Sequence, residues 1–429
     1  MNRLRWGACA VGAALLLSAC GEGTDPREDS GADGDQTGLV IESWRNDDLA
    51  IWEDVILPAF HEEHPDIQVS FEPSAPDDYN AALEARLEGG TAGDIITCRP
   101  FDVSLGLYDD GHLTDVTDLE GIDAFDEVAM SAWATDEGDE FFCVPTASVI
   151  HGFLYNAEIF DELDLDEPTT EEEFHDVLGA VADDGEYTPL VMGTADQWEA
   201  ATMGLQNIGP NYWEGEEGRN RLVEGEESFD DSQYVEAFEE LQSWSEYMPQ
   251  GYESVQYPDA QNVFTLGDGA VFPTGSWEIA LFNEQADFEM GAFGPPLPEG
   301  RDTCYISDHT DIGMGINAAT DAPEEARIFL EWTATEEFAD LYANALPGFY
   351  PLTEHEIEVE DPLAQEFLSL RDECESTIRN SYQFLSRGDP NLENQLWDLS
   401  AQLLNGEVEP QEAAEQAQEG LERWYEPQQ

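Results

Sequence analysis

Lysine is absent from this chain. All 14 basic residues are arginine, set against 97 aspartates and glutamates, for a formal net charge of −83. So few cations leave little to neutralise phosphates, which excludes nucleic acid as a partner. Without lysine there is no Walker lysine, so ATP hydrolysis would belong to a partner. There is no Cys-x-x-Cys pair to suggest zinc and no Gly-x-Ser-x-Gly elbow to suggest a serine hydrolase. His61-Glu62-Glu63-His64 has its histidines three apart and Pro65 directly behind, and reads as a solvated helix end. Asp183-Asp184-Gly185 and Asp33-Gly34-Asp35 fall short of a calcium loop. Neither a metal site nor a cofactor is expected. No apolar run approaches the roughly 20 residues of a membrane span.

What is present is a well-furnished interior. Hydrophobic residues make up 41% and aromatics 11% of the chain, spread evenly, which predicts a packed protein in spite of its charge. Repulsion among the acids is screened within about 3 Å at 1 M salt, so the composition points to a halophilic source. Arg3 and Arg5, an apolar stretch over residues 8–17 and small residues behind it read as a secretory signal. Leu17-Ser18-Ala19-Cys20 resembles the lipobox of prokaryotic lipoproteins, which implies a mature chain lipidated at Cys20 and anchored on the extracellular face of the cell membrane. Residues 1–19 are then the signal peptide and 20–38, nearly free of apolar side chains, a flexible tether.

Cys9 leaves with the signal and Cys20 carries the lipid, so four of the six cysteines remain for an oxidising compartment, and four allow three pairings. The most local pairing, Cys98–Cys143 with Cys304–Cys374, is the one expected. Leu39-Val40-Ile41 starts a strand, and Trp52, Val55, Ile56, Ala59 and Phe60 recur at helical spacing. The strand Ile67–Phe71, a helix carrying Tyr79, Leu83 and Leu87 up to Gly89-Gly90, and a strand at residues 94–97 follow. This β-α-β-α-β order predicts an α/β fold with a largely parallel sheet. After a looser stretch come a strand at residues 149–155, helices around Phe174–Val181 and Tyr234–Trp244, a strand at 269–272, another at 312–316, and helices to the C-terminus.

Several stretches in this order resemble the extracellular solute-binding proteins of ABC importers, the maltose-binding-protein-like family that takes up sugars and oligosaccharides. They are Ile41-Glu42-Ser43-Trp44, residues 58–67 (PAFHEEHPDI), Gly93-Asp94-Ile95-Ile96, Phe153-Leu154-Tyr155-Asn156 and Gly275-Ser276-Trp277. The resemblance implies a two-lobed periplasmic-binding-protein-like (type II) fold with a hinge and an interlobe ligand cleft. It places residues 39–147 plus 308–350 in an N-terminal lobe and 148–307 plus 351–429 in a C-terminal lobe, with crossings near Ser148, Ser307 and Tyr350. It implies a monomer that binds a small solute and hands it to a membrane permease, without catalysis.

A sugar has an apolar face and a rim of hydroxyls, so its cleft needs aromatic platforms and planar polar groups. Trp44 and Arg45 at the end of the first strand, Trp198, and Trp277 behind its Gly-Ser turn supply candidates. Arg99 and Asp102 follow the third strand, where open α/β sheets bind ligands. His151, Tyr155, Asp308, His309 and Phe349 lie at or near the crossings and complete the expected ligand-binding set. A polyamine or other cation, a peptide, and a glycoside hydrolase with two unrecognised carboxylates remain as alternatives.

Overall fold

A computed structural model of the protein describes residues 37–76 and 78–429. The signal peptide, Cys20 and nearly all of the tether lie outside the described residues. Among the described residues ten strands are hydrogen-bonded into one network: β1 (Thr37–Ser43), β2 (Ile67–Pro73), β3 (Ile95–Cys98), β4 (Val144–Asn156), β5 (Thr188–Leu190), β6 (Gly269–Gly275), β7 (Met290–Phe293), β8 (Tyr305–Ile316), β9 (Tyr350–Pro351) and β10 (Glu375–Thr377). The path runs β2-β1-β3-β8-β4-β6-β5, with β7 and β9 paired to β4 and β10 to β8.

The opening β-α-β-α-β segment forms as its pattern predicts, with β1 parallel to both β2 and β3. Trp52 stacks on Phe71 of β2 at 4.7 Å and fastens the first helical stretch to the sheet. The helix Tyr79–Gly89 buries Tyr79, Leu83 and Leu87 and stops at Gly90, whose φ of +64° closes it in a left-handed cap.

The sheet is less parallel than expected. β8 is antiparallel to β3 and β4, and β4 is antiparallel to β6 and β7. Both β4 and β8 are also longer than their apolar centres suggest, at 13 and 12 residues. Each has different partners along its length. β4 pairs with β8 from Val144 to Ile150, then with β6 and β7 from His151 onward. Polar residues such as Ser148, His151 and His309 are buried within these strands, which hides them from a reading based on alternation.

Two helical regions depart from the sequence reading. The looser stretch holds a helix, Asp102–Asp109, too short and glycine-interrupted to show a periodic face. Residues 200–213 are helical and buried on every side, so no polar face marks them. Cys98–Cys143 and Cys304–Cys374 are both disulfide-bonded, with Cα separations of 6.6 and 4.6 Å. The first ties the end of β3 to the loop entering β4; the second ties the start of β8 to that of β10.

Candidate functional site

Three strand ends converge on one pocket. β1 runs into Trp44 and Arg45, β3 into Arg99, and β6 into Ser276 and Trp277. Arg45 is held by Asp48, with Nε and Nη2 donating to the two carboxylate oxygens at 2.8 and 2.7 Å. Its Nη2 also donates to the carbonyl of Trp277 at 3.4 Å, and its guanidinium lies 4.9 Å from the centre of the Phe349 ring. Arg99 donates from Nε to Asn80 Oδ1 at 2.9 Å and from Nη2 to the Pro76 carbonyl at 3.2 Å. Its guanidinium lies 4.3 Å over the Trp44 ring. Burial pulls the Arg99 pKa below its ordinary value, against the opposing pull of the Asp311 carboxylate.

The Trp277 wall depends on two glycines. A Cβ on Gly275 would fall 1.9 Å from the indole, so only glycine lets that ring fold back over the end of β6. Gly348, at φ +97°, lies against the Ser276 carbonyl and accepts a hydrogen bond from Ser276 Oγ through its own carbonyl. Trp277 Nε1 donates to Tyr257 Oη at 3.0 Å, and Tyr257 Oη donates in turn to the carboxyl of Glu278. Gln261 Nε2 reaches the second Glu278 oxygen at 2.9 Å. Burial, with Asp47 nearby, pushes the Glu278 carboxyl well above the usual range.

Trp44, Arg45, Arg99, Trp198 and Trp277 therefore meet in one place. Pro76, Thr202, Tyr257, Asp311, Arg379 and Trp397 complete the lining. Trp198 is half-buried and meets Tyr257 edge-on at 4.7 Å. The cavity measures about 60 Å³, far below the roughly 300–1,000 Å³ of ligand pockets, so its walls must part to admit a sugar ring.

The other expected residues are placed elsewhere. Phe349 is buried behind Arg45. His151 and His309 are buried beneath the Trp277 wall, with ring centres 5.1 Å from His151 to Trp277 and 5.3 Å between the two imidazoles. Asp308 pairs with Arg371 through two 2.8 Å contacts and accepts from Ser376 Oγ. Tyr155 lies outside the pocket, donating to Glu167 at 2.6 Å. Asp102 faces away from it, accepting from the backbone N–H of Phe384 and Ser386 and from Arg387 Nε. Arg387 also grips Asp136 with both Nη atoms at 2.8 Å.

A roomier cavity of about 480 Å³ opens beside that cluster, lined by Phe101, Leu105, Phe125, Phe141 and Phe384 among others. Arg387, the one basic residue among its described lining, is already paired with two carboxylates, Asp102 and Asp136, whereas three arginines line the smaller pocket, which is therefore the better polar receptor. Asp311, Arg379 and Trp397 escaped the sequence reading. Trp397 alone carried a signal, since it stands off the Leu392, Leu396, Leu399 and Leu403 stripe of its helix.

Among the described residues no helix is long and apolar enough to cross a membrane. A family model described as bacterial extracellular solute-binding protein matches residues 43–340. An uncharacterized ABC transporter extracellular-binding protein of Pyrococcus horikoshii is 22% identical over 304 residues, covering 69% of this chain and 68% of the relative. The multiple sugar-binding protein of Streptococcus mutans is 21% identical over 298 residues, 67% of this chain and 69% of the relative. Solved structures share the fold, among them two with a sugar bound. RafE in complex with raffinose superposes with a TM-score of 0.75 at 19% identity, covering 90% of this chain and 99% of its own. A sugar transporter of Bacillus licheniformis in complex with stachyose gives 0.72 at 16%, covering 92% and 100%.

Proposed function

This chain belongs to the bacterial extracellular solute-binding proteins, and we propose from that premise that it captures a mono- or oligosaccharide and delivers it to the membrane permease of an ABC importer. Its fold is the two-lobed α/β arrangement with a hinge and a cleft between lobes. The lobes are taken to exchange at Ser148, Ser307 and Tyr350, with lipid at Cys20 holding the protein to the outer face of the membrane. The observation that carries the reading is the convergence of Trp44, Trp198, Trp277 and Trp397 with three guanidinium groups in one pocket. Indoles suit the apolar face of a sugar, and guanidinium forks suit its hydroxyl rim. Relatives named for sugar binding, and a relative solved with raffinose, support the same choice. The three arginines on the wall make a polyamine a poor ligand, because like charges would meet at close range.

Solute binding to both lobes favours their closed arrangement, and closure is the signal passed to the permease. The function is binding without turnover. A thermal-shift screen of sugars, amines and peptides in molar salt, with assay for released product, tests it. Sugars should raise the melting temperature and leave the reaction mixture unchanged. In calorimetry, Trp277→Ala should cost about 1–2 kcal/mol of affinity for the sugar that binds, roughly tenfold. A shift with cations or peptides and none with sugars would show the substrate class to be wrong.

A further inference from the structure

The pocket holds one acid, Asp311, that no local sequence pattern singles out. β4 and β8 pair as Ala147 opposite Ile312 and then Ser148 opposite Thr310, so Asp311 is the extra residue of a bulge. A bulge re-aims the side chain of its extra residue. Its neighbours Asp308, His309 and Thr310 line a different cavity, whereas Asp311 lines the tryptophan pocket. No hydrogen bond or ion pair within 4 Å joins the Asp311 carboxylate to another described residue. Its charge is nevertheless felt by both Arg99 and Arg379.

Those two arginines have capacity to spare. Among the described residues Arg99 has only neutral oxygens as hydrogen-bond partners, and Arg379, paired with Glu393 at 3.2 Å, keeps a buried Nε without a partner there. A carboxylate with open lone pairs thus shares one pocket with donors that have open N–H groups. Two adjacent ligand hydroxyls match this set, donating to the carboxylate while accepting from the guanidiniums.

We propose that Asp311 is the specificity-determining residue of the pocket, accepting two neighbouring hydroxyls of a neutral pyranose whose oxygens Arg99 and Arg379 also contact. The inference rests on the sugar-capture reading and sharpens it. A uronate is disfavoured, because its carboxylate would meet Asp311 across the pocket. Since Asp311 lies on β8, a strand that joins both parts of the sheet, a ligand held there is held at the junction itself.

Calorimetry with raffinose, maltotriose and xylotriose as neutral probes and trigalacturonate as the acidic one tests it, on wild type and on the isosteric Asp311→Asn. A neutral probe should bind the wild type more tightly than trigalacturonate does. Asp311→Asn should weaken that neutral probe by about tenfold or more, the loss of a charge-assisted acceptor, and should narrow the gap to trigalacturonate. A purely structural role would not narrow that gap. Trigalacturonate preferred by the wild type, or neutral binding unchanged in Asp311→Asn, overturns the inference and leaves sugar capture standing. Binding of none of the four probes by the wild type overturns it as well, and a non-sugar solute that then shifts the melting temperature brings down the capture reading too.

Discussion

The guanidinium of Arg99 lies 4.3 Å from the centre of the Trp44 ring, and no carboxylate among the described residues pairs with it. Its hydrogen bonds go to an amide oxygen and a backbone carbonyl, and burial works against its charge. The indole face thus supplies part of what a counter-ion would give elsewhere in this acidic chain. It also means that one face of Trp44 is occupied, so the ring acts first as a support for Arg99.

That relationship predicts coupling. In a double-mutant cycle on sugar affinity, Trp44→Leu and Arg99→Gln should each weaken binding, and the double variant should lose less than the two losses together. The interaction energy expected is about 0.5–2 kcal/mol. Additive losses would show that the two side chains act separately.

A second prediction concerns pH. Burial, with Arg379 close by, holds His151 and His309 well below the ordinary imidazole value. Both are neutral in the folded protein at neutral pH. Once the pH falls below about 6.5, the unfolded chain takes up protons that the folded one refuses, so stability must fall with pH at about 1.4 kcal/mol per unit for each imidazole. His175 works in the opposite sense, because its Glu240 partner raises its pKa and its contribution fades as pH rises. Denaturant titrations between pH 5 and 8 should therefore show a shallower acid slope for His309→Asn than for wild type. Identical slopes would mean that His309 titrates normally in the folded state.

Salt should act strongly. The melting temperature is expected to climb between about 0.1 M and 1–2 M salt, as the screening length falls from about 10 Å toward 3 Å or less. A flat profile would remove the basis for placing the protein in a saline habitat.

Anchoring at Cys20 is checked by fractionation. The wild type should sediment with membranes and Cys20→Ala should appear in the medium. A variant that still sediments would refute the lipobox reading.

Much of this protein was legible from the order of its residues. The alternation of Ile67–Phe71, the spacing of Tyr79, Leu83 and Leu87, and the glycine at position 90 fixed local structure through local physics, and the tertiary contacts agreed with it. Trp44, Arg45, Arg99, Trp198 and Trp277 could be nominated because a sugar cleft needs aromatic platforms and planar polar groups, and all but Trp198 follow closely on a strand. Their meeting in one pocket is what the fold added. Composition alone stated that the acids would need screening. The length and antiparallel run of β4 and β8 were not legible, because burial on both faces erases the alternation that marks a strand. Asp102 went to Arg387 and two backbone amides, because a helix start far along the chain from residue 387 was brought against it by folding. Asp311 is the sharpest case. In sequence it is one acid among 97, and only a one-residue slip in the pairing of β4 with β8 turns its carboxylate toward the tryptophans. Strand register is set by long-range pairing, so no local pattern could have announced it.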